Sequence, residues 1–171
     1  LLLTQQKSVL KEDFTHIISQ HQGIVHKVCR IYRDTPEDRE DLFQDILYQL
    51  WKSWPSFRGE AQVSSWMYKV ALSTAIARYR KPSVFQNTIP LTAQEGEERQ
   101  QAEHPEKEKL YRAIALLNDA DKAIITLYLD DYAYEEIAEI IGISVNYVGV
   151  KINRIKAKLS QLLNPKSHEP G

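Results

Sequence analysis

The run Glu136-Ile137-Ala138-Glu139-Ile140-Ile141-Gly142-Ile143-Ser144 constrains the fold more tightly than any other stretch of this chain. Ile137, Ala138, Ile140 and Ile141 recur at helical spacing and give a short helix one apolar face. Gly142 suits the left-handed residue that ends such a helix, and Ser144 suits the cap of the next. Short helix, glycine turn, capped helix predicts a helix-turn-helix. Beyond the turn, Val145, Val148, Ile152, Ile155 and Leu159 form a core stripe. Asn146, Tyr147, Gly149, Val150, Lys151, Asn153, Arg154 and Lys158 lie around the other side. Amides and cations on one helix face are the groups that read base edges and hold phosphates in a major groove. Val150 falls near the middle of that face, where contact with a thymine methyl accounts for it. Gly149 costs about 1 kcal/mol against alanine unless close backbone approach needs it. On these residues alone, a helical hairpin with a solvated basic face is the plainer alternative.

The rest of the chain is also helical in pattern, with no β alternation in its first half. Phe14, Ile17, Ile18, Ile24, Val25, Val28 and Ile31 predict a helix, or helix pair, over 13–32, with Gly23 a weak point. Asp34-Thr35-Pro36-Glu37-Asp38 starts an acidic helix. Leu42, Phe43, Ile46, Leu47, Leu50, Trp51 and Trp54 fill its core half; Asp41, Gln44, Asp45, Tyr48 and Lys52 share the opposite half. Asp41 and Asp45 are one turn apart with Gln44 beside them, a face that suits a basic partner helix and that also reads as an ordinary solvated surface. Pro55 ends the helix, Phe57-Arg58-Gly59-Glu60 reads as a loop, and a further helix starts near Ser64 or Ser65. There Trp66, Val70, Thr74 and Ala77 make one stripe, and Lys69, Ser73, Ile76 and Arg80 its neighbour. An aromatic beside cations is how proteins hold single-stranded nucleic acid: rings stack on bases and cations meet phosphates.

Composition enters through its distribution. The 171 residues carry a formal net charge of −1, which alone argues against a nucleic-acid binder. Yet the stretch 144–168 holds Lys151, Arg154, Lys156, Lys158 and Lys166 and no acid, whereas 95–108 is mostly acidic. Pro90, Gly96, Pro105 and the Gln/Glu-rich run at 94–101 give little to bury, so 82–105 reads as a flexible acidic linker that lets two modules reach separate sites. After it, Leu110, Ile114 and Leu117 form a stripe, Asn118-Asp119-Ala120-Asp121 breaks it and caps a new helix, and Ile124, Ile125, Leu127, Tyr128 and Leu129 continue. The fold class expected is all-α: two small helical domains, 1–81 and 106–165, the second a helix-turn-helix.

Cys29 is the single cysteine, which rules out an intrachain disulfide and fits a reducing compartment. With no second Cys-His unit near His26 and Cys29, no metal site is expected, nor is one at His16 and His21. Neither a Walker loop nor a ligand cluster appears, so no cofactor and no enzyme activity are expected. Leu1-Leu2-Leu3 is too short an apolar run for a leader, and no window reaches a membrane span, so a cytoplasmic protein is expected.

Several runs together resemble a known family. Asp38-Arg39-Glu40-Asp41-Leu42-Phe43-Gln44-Asp45-Ile46, Leu50-Trp51, Phe57-Arg58-Gly59 and Ser65-Trp66-Met67-Tyr68-Lys69-Val70-Ala71 are similar to the core-binding and promoter-melting region of bacterial sigma factors of the extracytoplasmic-function type. Glu136-Ile137-Ala138-Glu139 and Gly142-Ile143-Ser144 resemble that family's C-terminal helix-turn-helix. The resemblance implies an initiation factor whose partners are core RNA polymerase, through the β′ clamp helices and the β flap, promoter DNA, and an anti-sigma factor. Carried over by position, Asp41, Leu42, Gln44, Asp45 and Tyr48 contact polymerase. Phe57, Arg58, Trp66, Lys69, Ser73 and Arg80 lie at the melted −10 strand, and Asn146, Tyr147, Gly149, Val150, Lys151, Asn153 and Arg154 at the −35 element. Ser73 and Ala77 stand where the family pattern has Asn and Asp, so its −10 sequence preference is not carried over. A conventional helix-turn-helix regulator that binds duplex DNA without polymerase is the alternative, and it leaves 41–66 without a role.

Overall fold

Asn118 and Ser144 cap helices where their positions in the sequence predict, and Thr35 caps a third. The computed structural model describes residues 2–77 and 104–165, with side chains from residue 11. Among these it contains seven α-helices, one 3₁₀ turn and no strand, in two compact units, Leu1–Lys81 and Pro82–Gly171.

In the first unit, α1 runs over Leu2–Tyr32. It starts well before the expected residue 13 and passes through Gly23 without a break. A mid-helix glycine costs only about 1 kcal/mol, less than the burial of Val25, Val28, Cys29, Ile31 and Tyr32 just beyond it returns. Helix α2 covers Pro36–Ser53, with Thr35 Oγ1 accepting from the Asp38 N–H (3.2 Å), Pro36 at its start, and Glu37 and Asp38 where the helix dipole favours carboxylates. A 3₁₀ turn, Trp54–Ser56, follows, and Gly59 takes a left-handed φ of 72° in the loop after it. Helix α3 covers Val63–Ala77, so Ser64 and Ser65 lie in its first turn and not before it.

Each of these helices packs on the other two. Leu42, Ile46 and Leu50 of α2 meet the α1 residues and Met67, Tyr68, Ala71, Leu72 and Ala75 of α3 in one core. Cys29 is one of its small apolar members, and His26 stacks on Phe43 with centroids 4.6 Å apart. Arg33 ties the α1–α2 corner to the end of α3, donating to the carbonyls of Tyr32 (2.7 Å) and Ala75 (3.2 Å), while Arg39 Nε donates to the Arg33 carbonyl (3.0 Å). Cations suit those last-turn carbonyls because the helix leaves them unpaired.

In the second unit, α4 (Pro105–Ala115) opens on the residue expected to close the linker; the linker up to residue 103 lies outside the described residues. Helix α5 (Asp119–Leu129) is capped by Asn118, whose Oδ1 accepts from the Asp121 N–H (2.9 Å). Helix α6 (Tyr134–Ile141) ends at Gly142, φ 83°, whose N–H donates to the Ala138 carbonyl (2.8 Å). Helix α7 (Val145–Leu163) starts with Ser144 Oγ accepting from the Tyr147 N–H (3.2 Å). The helix-turn-helix therefore forms as its turn chemistry dictates. Ile114, Leu117, Ile124, Ile125, Leu127, Ile137, Val148, Ile152, Ile155 and Leu159 are buried. Leu110, Tyr128, Ile140 and Ile141 are only half-buried, and Leu129 is exposed.

One cap is half made. Glu136 Oε2 accepts from the Ala133 N–H (2.8 Å), but Ala133 has no side-chain oxygen to return a bond to the Glu136 N–H. Its φ of −65° and ψ of 155° already suit a capping residue. Ala133→Ser should raise the unfolding free energy of this unit by about 0.5–2 kcal/mol. Chemical denaturation followed by circular dichroism measures it, and an unchanged or lower stability contradicts the half-made box.

Candidate polymerase and nucleic-acid interfaces

Burial of Leu42, Ile46 and Leu50 turns the opposite side of α2 outward. Asp41 and Tyr48 are exposed there, and Gln44 and Asp45 are half-buried beside them. Leu42, expected among the polymerase contacts, is instead wholly buried. It sits one helical step from Asp41, on the core side, and helps seat the helix. Trp51 departs the other way: placed on the core half by its spacing, it is 44% exposed. Leu50 takes the inward position, and Trp51 meets Phe14 edge to face, centroids 5.0 Å apart at 69°.

That contact begins an aromatic cluster drawn from α1, α2, the 3₁₀ turn, the loop and α3. Phe14 meets Trp54 (5.8 Å); Trp54 stacks on Phe57 (5.7 Å, 19°) and meets Trp66 (5.8 Å); Phe57 lies against Trp66 (4.9 Å, 33°). Pairs at such spacings contribute about 0.5–1.5 kcal/mol beyond burial. Phe57 and Trp66, both expected at the melted strand, are thus half-buried against each other. Arg58, Lys69 and Ser73 are exposed nearby in sequence, on the loop and on α3. Ser73 Oγ donates to the Lys69 carbonyl (2.6 Å), a bond within its own helix. Arg80 lies outside the described residues, as do Arg78 and Lys81.

On α7 the core stripe Val148, Ile152, Ile155 and Leu159 is buried, and Asn146, Tyr147, Val150, Asn153 and Arg154 are exposed together on the other side. Val145, expected in the stripe, is 40% exposed in the first turn of α7. With Val150 (45%) it adds apolar surface to a polar face. Gly149 is half-buried, and a methyl group added there would stand 3.6 Å from Tyr134 Cε2, an ordinary contact. Packing within the chain therefore does not require glycine at this position.

Lys151 differs from the other cations. Its Nζ lies 2.8 Å from Asp121 Oδ1, and the two side chains are 19% and 12% exposed. The bond to Asp121 raises the Lys151 pKa above the usual 10.5, against the opposing effect of burial. The stability that this raised pKa contributes is fully present below the ordinary lysine value of 10.5 and is lost as pH rises past the raised one. Lys156 lies over the Tyr128 ring (4.4 Å), and its hydrogen bond to that phenol also raises its pKa. Sequence spacing shows neither tie, since both link residues of separate helices.

Comparison with known proteins gives this geometry a family. Residues 17–83 match the model for sigma-70 region 2, and residues 107–159 the model for sigma-70 region 4. The chain is 24% identical over 151 residues to the ECF RNA polymerase sigma factor SigM of Mycobacterium tuberculosis, covering 88% of this chain and 76% of that one. It is 28% identical over 142 residues to the RNA polymerase sigma factor YlaC of Bacillus subtilis, covering 78% and 82%. Its fold is similar to that of the sigma factor RpoE of Bartonella quintana, solved with the anti-sigma factor NepR: TM-score 0.68, 19% identity, 90% of this chain and 98% of that one. With the acidic helix, the aromatic cluster and the helix-turn-helix in family order, the chain belongs to the extracytoplasmic-function group of the sigma-70 family, the factors that direct RNA polymerase to promoters.

Proposed function

We propose that the outward face of α2 docks on core RNA polymerase through Asp41, Gln44, Asp45 and Tyr48, against the basic side of the β′ clamp helices. The loop after the 3₁₀ turn and α3 hold the melted −10 strand through Phe57, Arg58, Trp66, Lys69, Ser73 and Arg80. Helix α7 enters the major groove at −35 with Asn146, Tyr147, Gly149, Val150, Asn153 and Arg154, and the same unit meets the β flap. The domains are 1–81 and 106–165, with 82–105 joining them. The observation that carries this reading is the exposure of amides, an arginine and a valine on one side of a helix whose other side buries Val148, Ile152, Ile155 and Leu159. Sigma factors are not enzymes, and this one needs no hydrolysis: unstacking costs a few kcal/mol per step, and stacking and phosphate contacts on the captured strand offset it. Its place is the cytoplasm, where polymerase is, and no helix among the described residues is long and apolar enough to cross a membrane. An anti-sigma factor is the expected regulator, as RpoE of Bartonella quintana was solved with one.

Core binding by the wild type and by an Asp41→Ala/Asp45→Ala double variant tests the first contact. The variant should bind core at least about tenfold more weakly, since two charge-assisted contacts are lost, and run-off transcription should fall with it. A wild type that shifts duplex promoter DNA but ignores core polymerase sinks the docking assignment. For α7, Gly149→Ala should stabilise the unit by about 0.5–1 kcal/mol while weakening promoter binding by the holoenzyme. A variant that is both more stable and fully active shows that no backbone approach occurs at Gly149.

A further inference from the structure

Lys151 lies among the −35 residues by sequence, yet its charge is turned inward. Asp121, in the first turn of α5, donates its N–H to Asn118 Oδ1 (2.9 Å) and accepts from Asn118 Nδ2 on Oδ2 (3.0 Å). Its other oxygen, Oδ1, is buried and accepts no hydrogen bond, and the Lys151 ammonium stands 2.8 Å from it as an ion pair. The cap of α5 thus holds the carboxylate, and the carboxylate holds the middle of α7. A buried carboxylate oxygen left without its cation is costly, so the ammonium has reason to stay. The next cation along α7, Arg154, is exposed and turned to solvent. An apolar stripe resists sliding poorly, because neighbouring side chains offer similar contacts; a single ionic bond from the α5 cap to mid-helix selects one rotation and one register.

We infer that Lys151 is a positioning residue for −35 recognition, and that through Asp121 it sets how far α7 is rotated and advanced in the groove instead of touching DNA itself. This rests on reading α7 as the −35 helix. Two consequences distinguish it from a phosphate contact. Lys151 adds nothing to the counterions released on binding, so its loss leaves the salt dependence unchanged. And the harm done by removing it comes from Asp121, so removing the Asp121 charge as well undoes it.

The test uses holoenzyme assembled from core polymerase and the full chain, carrying Lys151→Met, Asp121→Asn, both together, or Arg154→Ala. Read out are affinity for a promoter and for its −35-scrambled version across a salt series, and melting of each chain. Asparagine keeps the shape at 121 and the bonds to Asn118, so the double variant is close to an uncharged copy of the pair. Lys151→Met should lower the ratio of matched to scrambled affinity about tenfold at a temperature where it is folded, with an unchanged salt slope. The double variant should recover most of that ratio, and it carries the test if Lys151→Met proves too unstable to assay, since a Lys151 that touched DNA would leave it as impaired as Arg154→Ala. A loss that the double variant does not recover, with the slope shallower by about one, makes Lys151 a phosphate contact and overturns the inference. A lower melting temperature with an unchanged affinity ratio reduces the pair to a fold contact and overturns it equally. Arg154→Ala reports on the underlying reading: if neither affinity nor slope moves with it, α7 is not the −35 helix, whatever the Lys151 cycle gives.

Discussion

Each unit rests on the burial of one narrow stripe per helix, and everything the chain offers to partners follows from how narrow that stripe is. A helix in a bundle of three or four buries one side and leaves the other in water. Val148, Ile152, Ile155 and Leu159 are enough to seat α7, each buried aliphatic contributing about 1.5–3 kcal/mol relative to exposure. Asn146, Tyr147, Val150, Asn153 and Arg154 take no part in that core, so their side carries amides, an arginine and a valine. Helix α2 is the same case with acids in place of cations: Leu42, Ile46 and Leu50 hold it, and the carboxylates face outward.

Two small cores of this kind explain why a chain with a net charge of −1 still serves both an acid-seeking and a base-seeking partner. Opposite charges on separate units do not cancel at short range, because screening limits exposed charges to about 8–10 Å at physiological ionic strength. What a partner senses is the face it meets, and the sum over the chain is irrelevant to it. The aromatic cluster adds a second economy. Phe57 and Trp66 are already packed against each other and against Trp54, so the loop bearing Arg58 has its path set in advance. On the proposed reading, the ordering of that loop is not charged against melting, which is what preorganisation means for a binding-driven step.

How much of this was legible in the sequence depended on how local the cause was. Asn118, Ser144 and Gly142 act on groups within three or four residues of themselves, each where its position predicts, and Thr35 acts in the same local way. Periodicity found the stripes but not their rims: Trp51 and Val145 are exposed although their spacing put them inside, and Leu42 is buried although the family pattern put it among surface contacts. A helical wheel gives an angle and carries no information on how far the neighbouring helices reach along it. Gly23 shows the converse, a local penalty overridden by tertiary burial on α1.

The Lys151–Asp121 bond was illegible for the same reason in its strongest form. Spacing puts Lys151 on the outward side of α7, beside Arg154, and composition counts both as basic charge for DNA. Only the packing of α5 under α7 brings the Asn118-held carboxylate within 2.8 Å and turns one of the two inward. A basic helix face read from sequence is therefore an upper bound on the cations that meet phosphate, and the correction comes from whichever acid the neighbouring helix cap holds still. In a recognition helix the two uses of charge differ in kind. An outward cation adds affinity for any duplex, since every duplex has phosphates. An inward one adds affinity for none, yet by fixing which side chains face the base edges it governs how sharply the right sequence is told from the wrong one.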